Sequence, residues 1–333
     1  MVDFQLIKKL CIESRLGEIV GVPIPISGGL LHKMYAVETN DGKYAIKILN
    51  PQIMIRPDAM NNYINSERIA KLVSKKVPAA PAKIINGDFV LKMDNHFYMV
   101  FDWVEGETLK TTSISCSHCE KIGSLLAEIH RTDFSELNIG NFRNNEPCID
   151  WKYYIEKGQK SNNEWIEQLL EIVDKLYEWT SLAINAKRCL SANLVISHRD
   201  LDPKNVLWYK GGPVFIDWES AGYINPMQDL IETALYWSED ETGNVDKRRF
   251  FAFINGYKKG YGETKADWSM VLENGFLGKL GWLEYNLKRS LWIECSNEEE
   301  QKLGTTQVIG TIKEIRDYAE KISKLVNWLN NQD

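Results

Sequence analysis

Apolar residues recur first at Phe4, Ile7, Leu10 and Ile19, a spacing that predicts a helix over residues 4–20. The stretch GVPIPISGG that follows is rich in turn formers. MYAVET (34–39) and KYAIKIL (43–49) then read as short β-rich runs, with Asp41-Gly42 between them as a hairpin signal. Helical spacing returns over 60–74 at Tyr63, Ile64, Ile69, Leu72 and Val73. KIINGDFVLKM and HFYMVFDWV read as two more strands, the first containing an Asn86-Gly87 turn. This opening part therefore predicts a small antiparallel sheet with one inserted helix.

The pattern changes at VEGETL (104–109). Helical spacing dominates beyond it, over 118–132, 163–185, 226–239, 246–259, 268–293 and 306–330. VLW (206–208) and VFI (214–216) are the exceptions, two small strands joined by Tyr209-Lys210-Gly211-Gly212. The prediction is an α+β chain with a smaller sheet lobe, 1–103, and a larger helical lobe, 104–333. The cleft between them is the expected ligand site. No internal repeat or low-complexity tract interrupts this scheme.

Composition narrows the function classes. With 44% hydrophobic and 26% charged residues, the 333-residue chain can bury a sizeable core. A net charge of −6 gives no support to non-specific nucleic-acid binding and suits a cationic partner better. The N-terminus lacks a secretory apolar region, and no apolar run is long enough to span a membrane. Six cysteines in a chain this long do not read as a disulfide scaffold. Cys116 and Cys119 form one CxxC without a second pair, which favours a surface helix start over zinc. These readings together lead to the expectation of a cytoplasmic protein with no membrane partner, and the lack of a coiled-coil repeat to that of a monomer.

Candidate chemistry gathers around ISHRDLDPKNVLW and VFIDWE. Asp200 lies in a loop after the apolar VIS, with Pro203 and neighbouring polar residues opposing regular helix. A carboxylate held there could orient and deprotonate a substrate hydroxyl. Asn205 and Asp217 offer hard oxygen ligands suited to Mg²⁺, which also borrows water and phosphate oxygens. Glu219 shares a side with Asp217 if the strand continues, and could assist the metal through water. Capped polar turns around two core strands would also produce this pattern. Lys47, inside the apolar AIKIL, needs solvent or a partner, and a phosphate would serve. Glu67 on the next helix could hold that ammonium, or simply face solvent. Ser27, Gly28 and Gly29 could let backbone N–H groups approach a phosphate. His198 reads as a brace for its loop, and His130 as a packed or capping residue. Asp229, near a helix start, could accept backbone hydrogen bonds from the 198–205 loop. P-loop, dinucleotide, zinc-protease and hydrolase-nucleophile motifs are all absent.

Over roughly residues 20–330 the chain resembles the protein-kinase-like fold, most closely the aminoglycoside phosphotransferase and choline kinase superfamily. HRDLDPKN resembles its catalytic loop, with Arg199 where small-molecule kinases usually have Gly, a spelling closer to protein kinases. FIDWE resembles the small-molecule kinases' metal motif and departs from the protein kinases' Asp-Phe-Gly. The resemblance implies a two-lobed fold and ATP or GTP as phosphate donor. It implies Asp200 as catalytic base, Asn205 and Asp217 as Mg²⁺ ligands, and Lys47 on the α/β-phosphates with Glu67 holding it. Residues 27–31 would cover the triphosphate. YMVFDWVEG resembles the purine-binding strand and hinge. Phe101 would line the pocket, and the Asp102 carbonyl and Val104 N–H would meet the base edge.

From Asp217 to Asp229 is a step of only twelve residues, too short for the peptide-docking platform of protein kinases. The C-terminal third instead carries Trp268, Trp282, Tyr285, Trp292, Glu294 and the run Glu298–Glu300. Such walls would suit a cationic, hydroxyl-bearing small molecule, though core packing and solvated acids would give the same composition. An aminoglycoside is the favoured acceptor. Choline, another amino alcohol or a sugar comes next, then a protein kinase or a non-catalytic nucleotide-binding regulator.

Overall fold

Strands β1 (Ile24–Ile26), β2 (Lys33–Thr39), β3 (Gly42–Ile48), β4 (Leu91–Met93) and β5 (His96–Asp102) form one antiparallel sheet in the order β1-β2-β3-β5-β4. They belong to a computed structural model that describes residues 4–26, 31–140 and 149–331. The β2–β3 hairpin pairs Thr39 with Gly42 across Asn40-Asp41, and Thr39 Oγ1 accepts the N–H groups of Asp41 and Gly42, each at 3.2 Å. The Asn86-Gly87 turn also forms, both residues at positive φ, with Ile85 and Asp88 exchanging backbone bonds.

Helix α1 (Phe4–Glu13) ends seven residues before the predicted limit. Arg15 and Gly17 take positive φ there, the Leu16 N–H closes back on the Cys11 carbonyl, and Val20 instead bonds the edge of β2 through Glu38. Apolar periodicity carried on past a backbone that had already left the helix. Ile7, Leu10 and Cys11 share one core with Val37, Ile46, Ile48, Tyr98 and Val100. A second core contains Leu49, Tyr63, Ala82 and Met99. Alternation along β3 thus sets Lys47 apart from Ile46 and Ile48, with Met99 as its cross-strand partner.

After α2 (Pro51–Met54), α3 (Ala59–Val73) matches the predicted helix to within a residue and lies against the turn 218–220. β6 (Glu107–Thr108) follows, and β7 (Val195–Ser197) leads into the 198–205 loop. β8 (Val206–Tyr209) and β9 (Gly212–Phe215) form the expected hairpin. Phe215 donates to the Pro78 carbonyl at 2.8 Å and accepts from the Ala80 N–H at 2.9 Å. The chain divides into two compact units, and segment 196–222 belongs with Met1–Ser113 and Arg131–Ile139.

The second unit is helical: α4 (Cys116–His130), α5 (Trp151–Lys160), α6 (Ile166–Glu171), α7 (Val173–Leu190), α8 (Pro226–Ser238), α9 (Lys247–Tyr261), α10 (Trp268–Asn274), α11 (Phe276–Ser290) and α12 (Glu298–Asn330). Helices predicted over 163–185 and 268–293 are each divided, at Ile172 and Gly275. Asn225 caps α8 by accepting the Met227 N–H at 2.9 Å, and its amide donates to the Leu190 and Asn193 carbonyls. Cys116 opens α4 as expected, exposed, while Cys119 is buried. The fold class is therefore α+β, a small antiparallel-sheet part followed by a larger helical part. No helix among the described residues is long and apolar enough to cross a membrane.

Candidate active site

The loop after β7 is held by its own polar side chains. His198 Nδ1 accepts the Asp200 N–H at 3.3 Å, so Nε2–H donates to the Ile216 carbonyl at 3.0 Å. Its ring also lies 4.5 Å from that of Trp218. This is the brace expected of His198. Asp202 caps the short turn Pro203–Asn205 by accepting the Lys204 N–H at 2.8 Å. Asn205 donates its amide N–H groups to the Asp200 carbonyl oxygen and to Asp200 Oδ2, at 2.8 and 2.9 Å. The Asp200 carboxyl is thereby fixed from the side. Burial pushes it up to about 6, with Asp202 and Asp217 adding to the rise and Lys204 and Asn205 opposing it.

Asp217 follows β9 in the left-handed backbone region, at φ 59 and ψ 64. Asp tolerates that region better than most residues, at a cost the surrounding bonds must offset. Its Oδ1 accepts from Lys47 Nζ at 2.8 Å, and Glu219 Oε2 accepts from the same ammonium. Burial works against the Lys47 charge, but Asp217 and Glu219 together hold its pKa well above the ordinary lysine value. Burial likewise works against Glu219, which Lys47 and His32 hold well below the carboxylate range.

Glu67 is placed differently from its expected pairing. It is 2% exposed and accepts the Ala82 N–H at 2.5 Å, while the ion-pair partners of Lys47 among the described residues are Asp217 and Glu219. Burial pushes Glu67 up to about 7; the Ala82 bond and Lys47 lower it, and Asp217 and Glu219 raise it. The helix brings this acid into the neighbourhood of Lys47, but the segment 217–219 takes the ammonium.

Phe101 pairs with Ala45 at the end of β5 and packs at the margin of the Met99 core. Asp102 accepts from Lys83 Nζ at 2.6 Å, Trp103 donates its N–H to the Lys43 carbonyl at 3.0 Å, and Val104 is half-buried. Ser27, Gly28 and Gly29 lie outside the described residues. Among the described residues no group of three or more His, Cys, Asp or Glu could hold a metal alone. The donor set nevertheless fits Mg²⁺. Asn205 commits its amide nitrogen to Asp200, which leaves Oδ1 as a hard oxygen donor, and Asp217 adds a carboxylate.

In the helical unit, Trp282 and Tyr285 stand with rings 5.5 Å apart. Tyr154 donates to Glu284 at 2.8 Å, and Lys288 lies 3.3 Å from Glu284 and 3.6 Å from Glu294, so two carboxylates share one ammonium. Trp292 is 54% exposed. Trp268, by contrast, is buried in the core. Glu298–Glu300 form the first turn of α12, where Asn297 Oδ1 caps the helix by accepting the Glu300 N–H and the Glu300 carboxylate accepts the Ser296 N–H. These two features of the sequence are structural. His130 Nε2 meets Asp229 Oδ2 at 2.8 Å and its Nδ1 meets Tyr257 Oη at 2.8 Å, the packed role expected of it.

A carboxylate clamped by an amide and a buried lysine bound to a second carboxylate, on this α+β scaffold, define a protein-kinase-like chain. Residues 23–265 match the phosphotransferase enzyme family, and the chain belongs to that family. Stress response kinase A of Escherichia coli strain K12 is 23% identical over 202 residues, covering 60% of this chain and 58% of that protein. The chain thus spans little more than half the length of the curated relative it matches. A spectinomycin phosphotransferase solved with ADP and spectinomycin superposes with a TM-score of 0.72 at 13% identity, over 98% of this chain and 99% of that one. An ethanolamine kinase of Plasmodium vivax gives 0.60 at 15% identity, over 95% and 86%. These likenesses establish the fold.

The sequence assigns no site role to His32, and marks Tyr63 only as an apolar-face position of its helix, yet both are buried, with His32 Nε2 between Tyr63 Oη and Glu219. The signal at hand was a histidine close behind the Gly28-Gly29 pair, directly after Leu30-Leu31.

Proposed function

We propose that the chain is a small-molecule O-phosphotransferase. It moves the γ-phosphoryl group of ATP or GTP to a hydroxyl of a cationic acceptor, an aminoglycoside, before the alternatives of choline or another amino alcohol or a sugar. The observation that carries this reading is the Asp200–Asn205 clamp, found in the same unit as Lys47 and Asp217. Asp200 orients the acceptor hydroxyl and takes its proton as the oxygen bonds to the γ-phosphorus. The bond from that phosphorus to the β–γ bridging oxygen breaks, and the nucleoside diphosphate leaves. The raised pKa of Asp200 makes it a better base than an ordinary carboxylate. Asn205 and Asp217 would hold Mg²⁺, which supplies charge stabilisation to the phosphate oxygens. Lys47 would turn its ammonium to the α/β-phosphates, leaving Asp217 to the metal. Ser27, Gly28 and Gly29 would cover the phosphates, and Phe101, Asp102 and Val104 the base, within a nucleotide lobe of residues 1–103. The Glu284–Glu294 carboxylates, Trp282 and Tyr285 support a cationic acceptor in the lobe 104–333, through charge and cation–π attraction.

The test is release of nucleoside diphosphate from ATP or GTP with Mg²⁺. The acceptor panel holds aminoglycosides, spectinomycin, choline, ethanolamine and sugar alcohols. Acceptor-stimulated release is expected, reduced at least about 100-fold in Asp200→Asn. A flat panel sinks the reading. Arg199 in the HRD spelling favours a second reading, a protein kinase. Phosphate incorporated into generic basic or acidic proteins, and lost in the same variant, would select it.

A further inference from the structure

The His32 imidazole sits at the exit of the glycine-rich segment and touches three separate parts of the chain. Its Nδ1 accepts the Asn50 N–H at 2.9 Å. That bond places the ring proton on Nε2, which faces Tyr63 Oη at 2.7 Å and Glu219 Oε2 at 3.3 Å. Tyr63 lies on α3, and Glu219 is one of the two carboxylates on Lys47. His32, Tyr63 and Lys47 are all buried. Water is therefore a poor substitute for any of these bonds.

We infer that His32 is a positioning residue for Lys47: its Nε2–H, shared between Tyr63 Oη at 2.7 Å and Glu219 Oε2 at 3.3 Å, holds Glu219 in place, and Glu219 in turn fixes the ammonium. Glu219 then does in this chain what was expected of Glu67, and it needs a donor on its far side to stay put. Asn50 and Tyr63 set the angle of the imidazole, so the glycine-segment exit, α3 and the 217–219 turn are tied at one ring. The inference rests on the proposed nucleotide site for its consequence and on geometry alone for its existence.

Two substitutions separate the two nitrogens. Gln can reach the position of Nε2 and keep a donor toward Glu219. Asn reaches only the position of Nδ1 and keeps the Asn50 contact. Affinity for a fluorescent ATP analogue with Mg²⁺ is measured on the full chain, with thermal unfolding of each variant beside it. His32→Asn is expected to weaken binding about tenfold, about 1.4 kcal/mol, and His32→Gln to recover most of that loss. His32→Asn combined with Glu219→Gln is expected to bind no more weakly than Glu219→Gln alone, and to unfold within about 2 °C of it. Equal losses in the Asn and Gln variants, or strictly additive losses in the pair, would overturn the inference. If the wild-type chain bound neither an ATP nor a GTP analogue, the proposed function would fall. The unfolding cycle would still decide the role of His32.

Discussion

Glu67 is a carboxyl that burial keeps protonated to about pH 7, beside Lys47, Asp217 and Glu219. Its folded pKa lies above the unfolded value near 4.5, so the folded state holds a proton that the unfolded state has lost. The stability this proton contributes is complete below about pH 4.5 and is lost as pH rises through 7. Denaturant unfolding across that window is expected to show stability falling with pH, by up to about 1.4 kcal/mol per unit from this group. Glu67→Gln is expected to flatten the slope, and an unchanged slope would assign it elsewhere. Single residues were legible in sequence where a polar side chain interrupts or directly follows an apolar run, as at Lys47 and Asp217, or falls in a polar loop behind one, as at Asp200. Partner choice was not legible. Lys47 selects Asp217, 170 residues away, over the acid on the neighbouring helix.

Among the elements, α4 and α9 approach so closely that two glycines decide the contact. A Cβ on Gly256 would stand 2.0 Å from the Glu120 carbonyl oxygen, and one on Gly123 would stand 2.1 Å from that of Phe253. Both obstacles are backbone, so the helices themselves must part. Gly256→Ala is expected to lower stability by about 1–3 kcal/mol despite its better helix propensity. Calorimetry would read this, and an unchanged or higher melting temperature would refute it. Periodicity placed most helices within a few residues because each buries one apolar stripe. It missed α5, where an apolar face is compressed into ten residues, and it ran through the breaks at Ile172 and Gly275. A break of one residue, with apolar positions on both sides, leaves little trace in the spacing.

For the molecule as a whole, the grouping of segment 196–222 with the sheet brings Lys47, Glu67, Asp200, Asn205 and Asp217 into one unit. A nucleotide held by that unit would bind the folded chain and not the unfolded one. Mg²⁺ with ATP or GTP at a hundredfold excess over Kd is then expected to stabilise the protein by about 2.7 kcal/mol. Differential scanning calorimetry would register it, and no shift with either nucleotide would count against the site. The fold class was open to reading because sheet-like and helical patterns occupy separate stretches. The grouping of a late segment with an early sheet was not, since no local pattern reports it.

That grouping also orders events on the ribosome. All five strands of the sheet are made while residues beyond 113 are still unmade, yet the buried ammonium of Lys47 meets Asp217 only 170 residues later. At about 5–20 residues per second the interval is on the order of 10–30 s. During it the nascent sheet carries a cation without its final counter-charges, and β9, which bonds the Pro78–Ala80 segment, has yet to emerge. Early translation therefore yields a sheet that is not yet its finished self, and arrival of the 214–219 segment is the step that closes it.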